Sequence, residues 1–422
     1  MGSRNNESSA KSFEELTSQL LRAGYSQTSP SRDSKSYCDA LAFGAKSDGT
    51  YGVVAVIEFK KTCDEKARTL AAAGLLLALE LHSAEYAFLK CGDELFQLVG
   101  ETRTFERILE VPTISQTASL VVDPKIARHL LWQEMNLRRG SQGPNAALLS
   151  LLDEIDVVEG EVLWPNPALR IQGSVFAEIY LKAIESLGHR NSLSQSIGSS
   201  AITAVFKALA IYFPNSQRIF DPACGLGSTL TGVAEHIKST AGSTPSVAGF
   251  DLNFQAATLA KKLMRMFDFV NLTEVSNQDM TKAQWPNSDL LVCEPPMGLR
   301  LQERVALGSG SIVQLEDYAI YRAAVQLRTG DLKHGAILVT GRSWLWRNNT
   351  QPLRDYLAEN NLVRALIGIP NLSTSTSMPL LAVVLGHGSG DVAVAELGDD
   401  WLAQLNAQGG ELSLAIRRSF DC

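Results

Sequence analysis

From about Ser199 to Leu385 the sequence switches repeatedly between two hydrophobic periods, and this alternation limits the fold more than any other feature. Short apolar runs at Arg218–Asp221, Ser246–Asp251, Leu272–Asp279, Asp289–Glu294, Gly335–Thr340, Val363–Ile369 and Leu380–Leu385 read as strands. Between them, segments 200–212, 228–238, 254–268, 316–329 and 351–360 place apolar residues at helical spacing. Strands that alternate with helices imply a mostly parallel sheet covered on both faces, expected here with seven strands. Such sheets bind ligands at the carboxyl ends of their strands, near the point where the strand order reverses. Residues that carry chemistry should therefore lie just after strands.

The segment RIFDPACGLGSTL, residues 218–230, meets that requirement. A strand ends in Asp221, and the loop Pro222-Ala223-Cys224-Gly225-Leu226-Gly227 leads into a helix. Gly225 and Gly227 permit unusual backbone angles and a close approach of ligand to main chain. The helix start offers amide donors to an anionic group such as a carboxylate. A dinucleotide site would want a third glycine where Leu230 stands. Two further acids end the next strands. Asp251 (VAGFD) is placed to accept from both hydroxyls of a ribose, and Asp279 (VSNQD) from an adenine amino group. Any one of these acids alone is as well explained as a turn or helix cap. Together with the glycine loop they form a constellation for a nucleoside cofactor, with Asp221, Ala223, Gly225, Gly227, Asp251 and Asp279 as its binding residues.

The motifs DPACGLGSTL, GFDLN, NQDM and CEPPMG resemble motifs I to IV of the N6-adenine DNA methyltransferases, above all the modification subunit of type I restriction systems. The stretch from Leu332 to Leu385 is similar to that subunit's closing region, and the resemblance spans about residues 170–390. It implies a Rossmann-like class I methyltransferase fold, S-adenosyl-L-methionine as cofactor, and DNA as substrate. In that family the fourth strand ends in Asn-Pro-Pro-Phe or Tyr. The Asn oxygen and a neighbouring carbonyl accept from the exocyclic amine, and the aromatic ring stacks on a base flipped out of the duplex. Here the tetrapeptide is Glu294-Pro295-Pro296-Met297. An ionised Glu accepts more strongly than Asn but cannot donate, and Met packs without offering a stacking face. The family's Tyr-Thr-Pro segment is also missing from residues 192–202, where Ser199 or Ser200 reads as a helix cap. Trp344 and Trp346, after the fifth strand, are candidates for stacking on a base, although core or rim packing is the simpler account of both.

The first hundred residues form a second α/β pattern. Ser12 and Glu15 read as a capping box for a helix over Ser12–Gly24, followed by strands at Ala40–Phe43 and Tyr51–Phe59, a helix at Ala67–Leu81, and a hairpin at Tyr86–Lys90 and Leu95–Val99. Asp39 begins one strand, and Glu58 and Lys60 lie on one face at the end of the next. This Asp…Glu-x-Lys arrangement resembles the PD-(D/E)xK nucleases and the N-terminal domain of type I restriction subunits. The resemblance implies that Asp39 and Glu58 hold Mg²⁺, with Lys60 assisting cleavage. No Gln-x-x-x-Tyr segment follows.

The expected organisation is a disordered tail (1–11), a nuclease-like α/β domain (12–110), a helical connector (111–190) broken at RGSQGPN (139–145), the methyltransferase domain (191–390) and a C-terminal extension (391–422). No apolar run approaches the ~20 residues of a membrane span. The six cysteines show no CxxC pair, so neither a zinc site nor a disulfide is indicated, and a reduced cytoplasm is the expected location. A net charge of −7 argues against a small protein that coats nucleic acid but allows an enzyme with a local basic cleft. About 35 residues follow the last strand, too few for a reader of base edges, which implies a separate specificity subunit. Three functions remain open: an adenine-N6 DNA methyltransferase of restriction-modification or phage-defence type, a catalytically degenerate cofactor-binding subunit of a DNA-binding complex, or a methyltransferase acting on RNA or protein nitrogen.

Overall fold

The computed structural model describes every residue except 1–3, 32–36, 100–102, 115–121, 159, 165–168, 187–199, 268–272, 371–378 and 421–422. The chain divides into two compact units, residues 1–176 and 177–422.

The first unit opens with α1 (Arg4–Arg22), β1 (Gln27–Pro30), β2 (Ala40–Ala45) and β3 (Tyr51–Lys60). It continues through α2 (Glu65–His82), β4 (Tyr86–Cys91), β5 (Glu94–Val99) and β6 (Thr104–Ile108). The six strands pair in sequence order, all antiparallel except β3 with β4, which α2 connects as a crossover. Leu16 and Leu20 of α1 pack on Ala40, Ala42, Val54, Ile57 and Phe88 of the sheet. Helix α2 starts where the Asp64 carboxylate accepts from the Ala67 amide at 2.8 Å, and it stops at Ser83 in the left-handed region. The sequence reading missed both edge strands, β1 and β6. Gln27-Thr28-Ser29-Pro30 has no apolar alternation, and proline is tolerated only because the strand lies at the edge. The expected capping box at Ser12 is corrected. Helix α1 already runs from Arg4, within the segment assigned to a tail, so Ser12 lies inside the helix.

The connector contains α3 (Pro124–Glu154) and a small sheet of β7 (Asp156–Val158), β8 (Glu161–Leu163) and β9 (Arg170–Gln172). Helical backbone continues through 139–145, yet Arg138 bonds Ser150 at 3.0 Å and Glu154 at 2.8 Å. Residues 16 apart on a straight helix lie about 24 Å from each other. Between Arg138 and Ser150 the chain therefore does not run as one straight helix.

The second unit follows α4 (Gly173–Ser186), in which the division falls, with α5 (Ser200–Ala210), β10 (Arg218–Asp221), α6 (Ser228–Ala241), β11 (Ser246–Asp251), α7 (Phe254–Met266), β12 (Thr273–Asn277) and β13 (Ser288–Cys293). Then come β14 (Arg300–Leu307), β15 (Gly310–Gln314), α8 (Leu315–Thr329), β16 (Leu332–Gly341), α9 (Gln351–Glu359), β17 (Val363–Ile369), β18 (Leu380–Gly386), β19 (Ala393–Glu396), α10 (Trp401–Asn406) and α11 (Glu411–Phe420). The sheet order is β12-β11-β10-β13-β16-β18-β17-β19. Strands β12 to β16 are parallel, and β18 runs antiparallel to both neighbours. Every residue of β13 and β18 is buried, as expected of strands covered on both faces. The expected count of seven strands becomes eight, because β19 adds to β17 in parallel. Its alternating Ala-Val-Ala-Glu is too short to stand out from the loop around it. The β14–β15 hairpin, inserted directly after β13, was also not anticipated. Its turn is set by Gly308 at φ +55°. The strand order reverses at β10, so the crevice between β10 and β13 is where a ligand should sit.

Candidate active site

Asp221 and Asp251 are the last residues of β10 and β11, Asp279 lies two residues beyond the adjacent β12, and all three build the same local structure. The Oδ1 of each accepts from the amide two residues on: Ala223 at 2.9 Å, Asn253 at 2.7 Å and Thr281 at 2.9 Å. Each acid thus caps its own turn through one oxygen, an Asx turn. The turn role and the ligand role are not rivals, because the second oxygen is used differently. Asp251 Oδ2 accepts from the Gly225 amide at 3.0 Å, which pins the glycine loop to the end of β11. Asp279 Oδ2 faces Lys282 Nζ at 3.8 Å. Asp221 is fully enclosed at 2% exposure, and the Cys293 thiol donates to it. The end of β12 is tied to that of β11 by Gln278 N and Asn277 Nδ2, which both donate to the Asp251 carbonyl, at 3.1 and 2.9 Å.

Between Asp221 and α6 the loop turns tightly. Cys224 N donates to the Phe250 carbonyl at 2.8 Å, and Gly227 N to the Cys224 carbonyl at 2.7 Å. Gly225 and Gly227 have φ of +55° and +78°, where a side chain is strained. A Cβ on Gly227 would also lie 2.5 Å from Met264 Cε. No side chain caps the start of α6. These features make a backbone cradle with helix-start donors, the arrangement the sequence suggested for an anionic group.

Glu294 follows the end of β13, next to β10, with Pro295 buried, Pro296 exposed and Met297 half-buried. Burial pushes its carboxyl up to about 7. Burial also lifts Asp221 to about 7, with the nearby charges of Asp251 and Glu294 adding to the shift, and it raises Asp251. The Cys224 and Cys293 thiols are driven well above their ordinary value by burial and by Asp221. Asp279 is the exception. Its partial burial is outweighed by hydrogen bonds from Thr281, which hold it below the usual range. Among the described residues no Lys, Arg or His pairs with Asp221, Asp251 or Glu294. Three acids that resist ionisation, with no cation paired to them among the described residues, thus gather at the carboxyl edge of the sheet, where a positive charge brought near them would favour their ionised forms.

A second buried cluster supports the loop after β13, and no motif points to it. Glu316 and Asp317, both buried at the start of α8, meet Arg347 at 3.1 and 3.2 Å. Arg347 also donates to Gln314. Glu316 Oε2 in turn accepts from the Gly298 amide at 3.2 Å, one residue after Met297. Trp344 is buried in the core, whereas Trp346 is 61% exposed. Residues 192–199, the place of the family's Tyr-Thr-Pro, lie outside the described residues. Ser200 is described, and its amide and hydroxyl both reach Glu185 at 3.3 Å.

In the first unit Asp39, Glu58 and Lys60 do come together. Phe59 N donates to Asp39 Oδ2 at 2.8 Å, and Lys60 Nζ pairs with Glu58 Oε1. Burial raises the Glu58 carboxyl, Asp39 adds to this, and Lys60 opposes it. The expected Mg²⁺ site finds no support. Among the described residues no group of three or more His, Cys, Asp or Glu could hold a metal ion. The expectation of no disulfide is corrected as well, since Cys63 is bonded to Cys91. The parallel register that sets Lys60 beside Cys91 brings the two together across 28 residues, a spacing with no local signal. No described helix is long and apolar enough to cross a membrane.

Residues 199–399 match the family model of the N-6 DNA methylases. This stretch, a little under half of the chain, is similar to the N-6 DNA methylases and is called the methylase domain below. The match begins at α5 and ends beyond β19, so it contains the whole eight-stranded sheet. No curated protein matches the chain. Among solved structures, the chain is similar to a Listeria monocytogenes protein assigned to the class I S-adenosylmethionine-dependent methyltransferases. That likeness has a TM-score of 0.54 and 13% identity, over 71% of this chain and 99% of that one. It is also similar to the type I restriction-modification methyltransferase subunit from Streptococcus thermophilus, with a TM-score of 0.49 and 16% identity over 56% of this chain. The chain spans 57% of that subunit's length. The methylase domain thus has a class I methyltransferase fold, with Asp221, Asp251, Asp279 and Glu294 at the carboxyl edge of its sheet.

Proposed function

We propose that the methylase domain binds S-adenosyl-L-methionine and transfers its methyl group to N6 of adenine in DNA. On this reading it works in a restriction-modification or phage-defence assembly, with target recognition on a separate specificity subunit. The observation that carries the proposal is the cluster of acids without a cation partner beside the glycine turn, at the reversal of strand order. Its residues fit the cofactor. The Gly225–Gly227 cradle and the start of α6 suit an amino-acid carboxylate. Each oxygen of Asp251 has one backbone donor and room for a second, as two ribose hydroxyls require. Asp279 stands at the next strand end for an adenine amine. When bound, the cofactor supplies an electrophilic methyl on a sulfonium, a cation suited to Asp221 and Glu294.

In its ionised form Glu294 accepts from the exocyclic amine and then takes the proton that nitrogen must lose once the methyl bond has formed. An Asn in its place can accept but cannot take that proton. The charge is thereby removed inside the site, which compensates for Asn's missing donor. The departures at Glu294 and Met297 favour one second reading, a domain that holds cofactor without transferring methyl. Transfer of label from the cofactor to adenine-rich duplex DNA tests the proposal. Binding of cofactor without transfer sinks the first reading, and Glu294→Asn combined with Met297→Phe then creates activity the parent lacks. In the first unit Lys60 and the Phe59 amide already engage Glu58 and Asp39, and we assign no cleavage to it.

A further inference from the structure

We infer that Trp346 is the stacking platform for the extrahelical base, taking the part that Met297 cannot play. The inference rests on the methyltransferase reading above. Trp346 follows a short 3₁₀ turn (Arg342–Leu345) at the carboxyl end of β16. Strand β16 is the parallel neighbour of β13, so both strands deliver their next residues to the same edge of the sheet. The two loops are also joined. Glu316 accepts from the Gly298 amide and from Arg347, so two hydrogen bonds link the residue after Met297 to the residue after Trp346.

The loop carrying the indole is fixed from below. Arg354 donates to the Trp344 carbonyl at 2.7 Å and to the Arg347 carbonyl at 3.1 Å, and Thr350 Oγ1 donates to the same two carbonyls at 2.9 and 2.8 Å. Trp346 N closes the turn on Ser343. Trp344 uses its ring in the core, beneath Arg354. Trp346, two residues on, is 61% exposed although the main chain around it is tied down by these hydrogen bonds. An indole kept out of the core on a pinned loop forgoes a large burial gain. Base–aromatic stacking recovers such a gain with any base, so it tolerates sequence and suits a subunit that leaves target reading to a partner.

The test uses the full chain saturated with S-adenosylhomocysteine and two single-stranded 20-mers, one of deoxyadenosine throughout and one abasic at its central positions. The parent binds the adenine strand more tightly than the abasic one, and binding quenches indole fluorescence. W346A loses that preference, with about tenfold weaker binding to the adenine strand and no change for the abasic strand. W346F keeps the affinity but loses the quench, which shows that a ring rather than a fold is at stake. Cofactor affinity is the same in all three proteins. Equal binding by W346A and the parent, or a parent with no preference for the adenine strand, overturns the role of Trp346. A parent that binds cofactor but neither strand overturns the DNA reading as well, and one that binds no cofactor overturns the methyltransferase reading itself.

Discussion

If Glu294 takes the proton released by methyl transfer, only its ionised form is productive and the rate must follow its titration. Burial sets that carboxyl at about 7. The ionised fraction is then about a tenth at pH 6, half at pH 7 and nine-tenths at pH 8, so kcat/KM rises about tenfold between pH 6 and pH 8. The sulfonium of bound cofactor favours the carboxylate, so the same limb in kcat lies at lower pH than in kcat/KM. Glu294→Gln keeps the shape and removes the titration. It should cost about 10²–10⁴ in rate, the range for losing a positioned base, and flatten the remaining profile. Asp221 titrates in the same window, and Asp221→Asn separates the two, because it leaves the Glu294 limb in place. The assay is steady-state transfer of labelled methyl to duplex DNA across pH 5.5–9. A flat parent profile, or a Glu294→Gln variant that keeps both rate and pH dependence, refutes the reasoning.

Four further outcomes follow from the geometry. Asp251→Ala removes the acceptor of the Gly225 amide and of the ribose hydroxyls, and it should weaken S-adenosylmethionine by about 1.5–3 kcal/mol, read by calorimetry. Gly227→Ala forces a side chain to φ +78° against Met264, so the melting temperature should drop by the equivalent of about 1–2 kcal/mol, with weaker cofactor binding. Arg347→Ala leaves buried Glu316 and Asp317 without their cation, costing about 3–5 kcal/mol in denaturant unfolding, and Arg347→Lys should cost less. Asp221, Glu294 and Asp317 all hold their protons more tightly folded than unfolded, with values near 7. Their stabilising contribution is complete below pH ~4 and is lost as pH rises through about 7, so the melting temperature should fall from pH 5 to pH 8. Asp317→Asn should reduce that slope.

The parts of this molecule legible in the sequence are those whose signal is local. The limits of β10, β11 and β17 could be read directly, because each is an apolar run closed by an acid or a loop. The gathering of Asp221, Asp251 and Asp279 with the glycine loop could be read for the same reason, since a parallel sheet sends successive strand ends to one edge. Edge strands such as β1 and β19 were not legible. They bury one face at most and are held by a neighbour's ladder rather than by their own pattern. The Glu316–Arg347 pair lies 31 residues apart and exists only because β16 returns beside β13. The Cys63–Cys91 bond likewise depends on register. Sequence spacing carries no trace of either.

The central claim is the proposal that the cluster of protonatable acids at this sheet edge receives a cationic nucleoside. Calorimetric titration of the whole chain with S-adenosylmethionine near pH 7, repeated in buffers of different ionisation heat, measures it most directly. Saturable binding accompanied by proton release is the expected result, because the sulfonium draws protons off Asp221 and Glu294, and S-adenosylhomocysteine should release fewer. No binding, or binding of both with protons taken up, would contradict it.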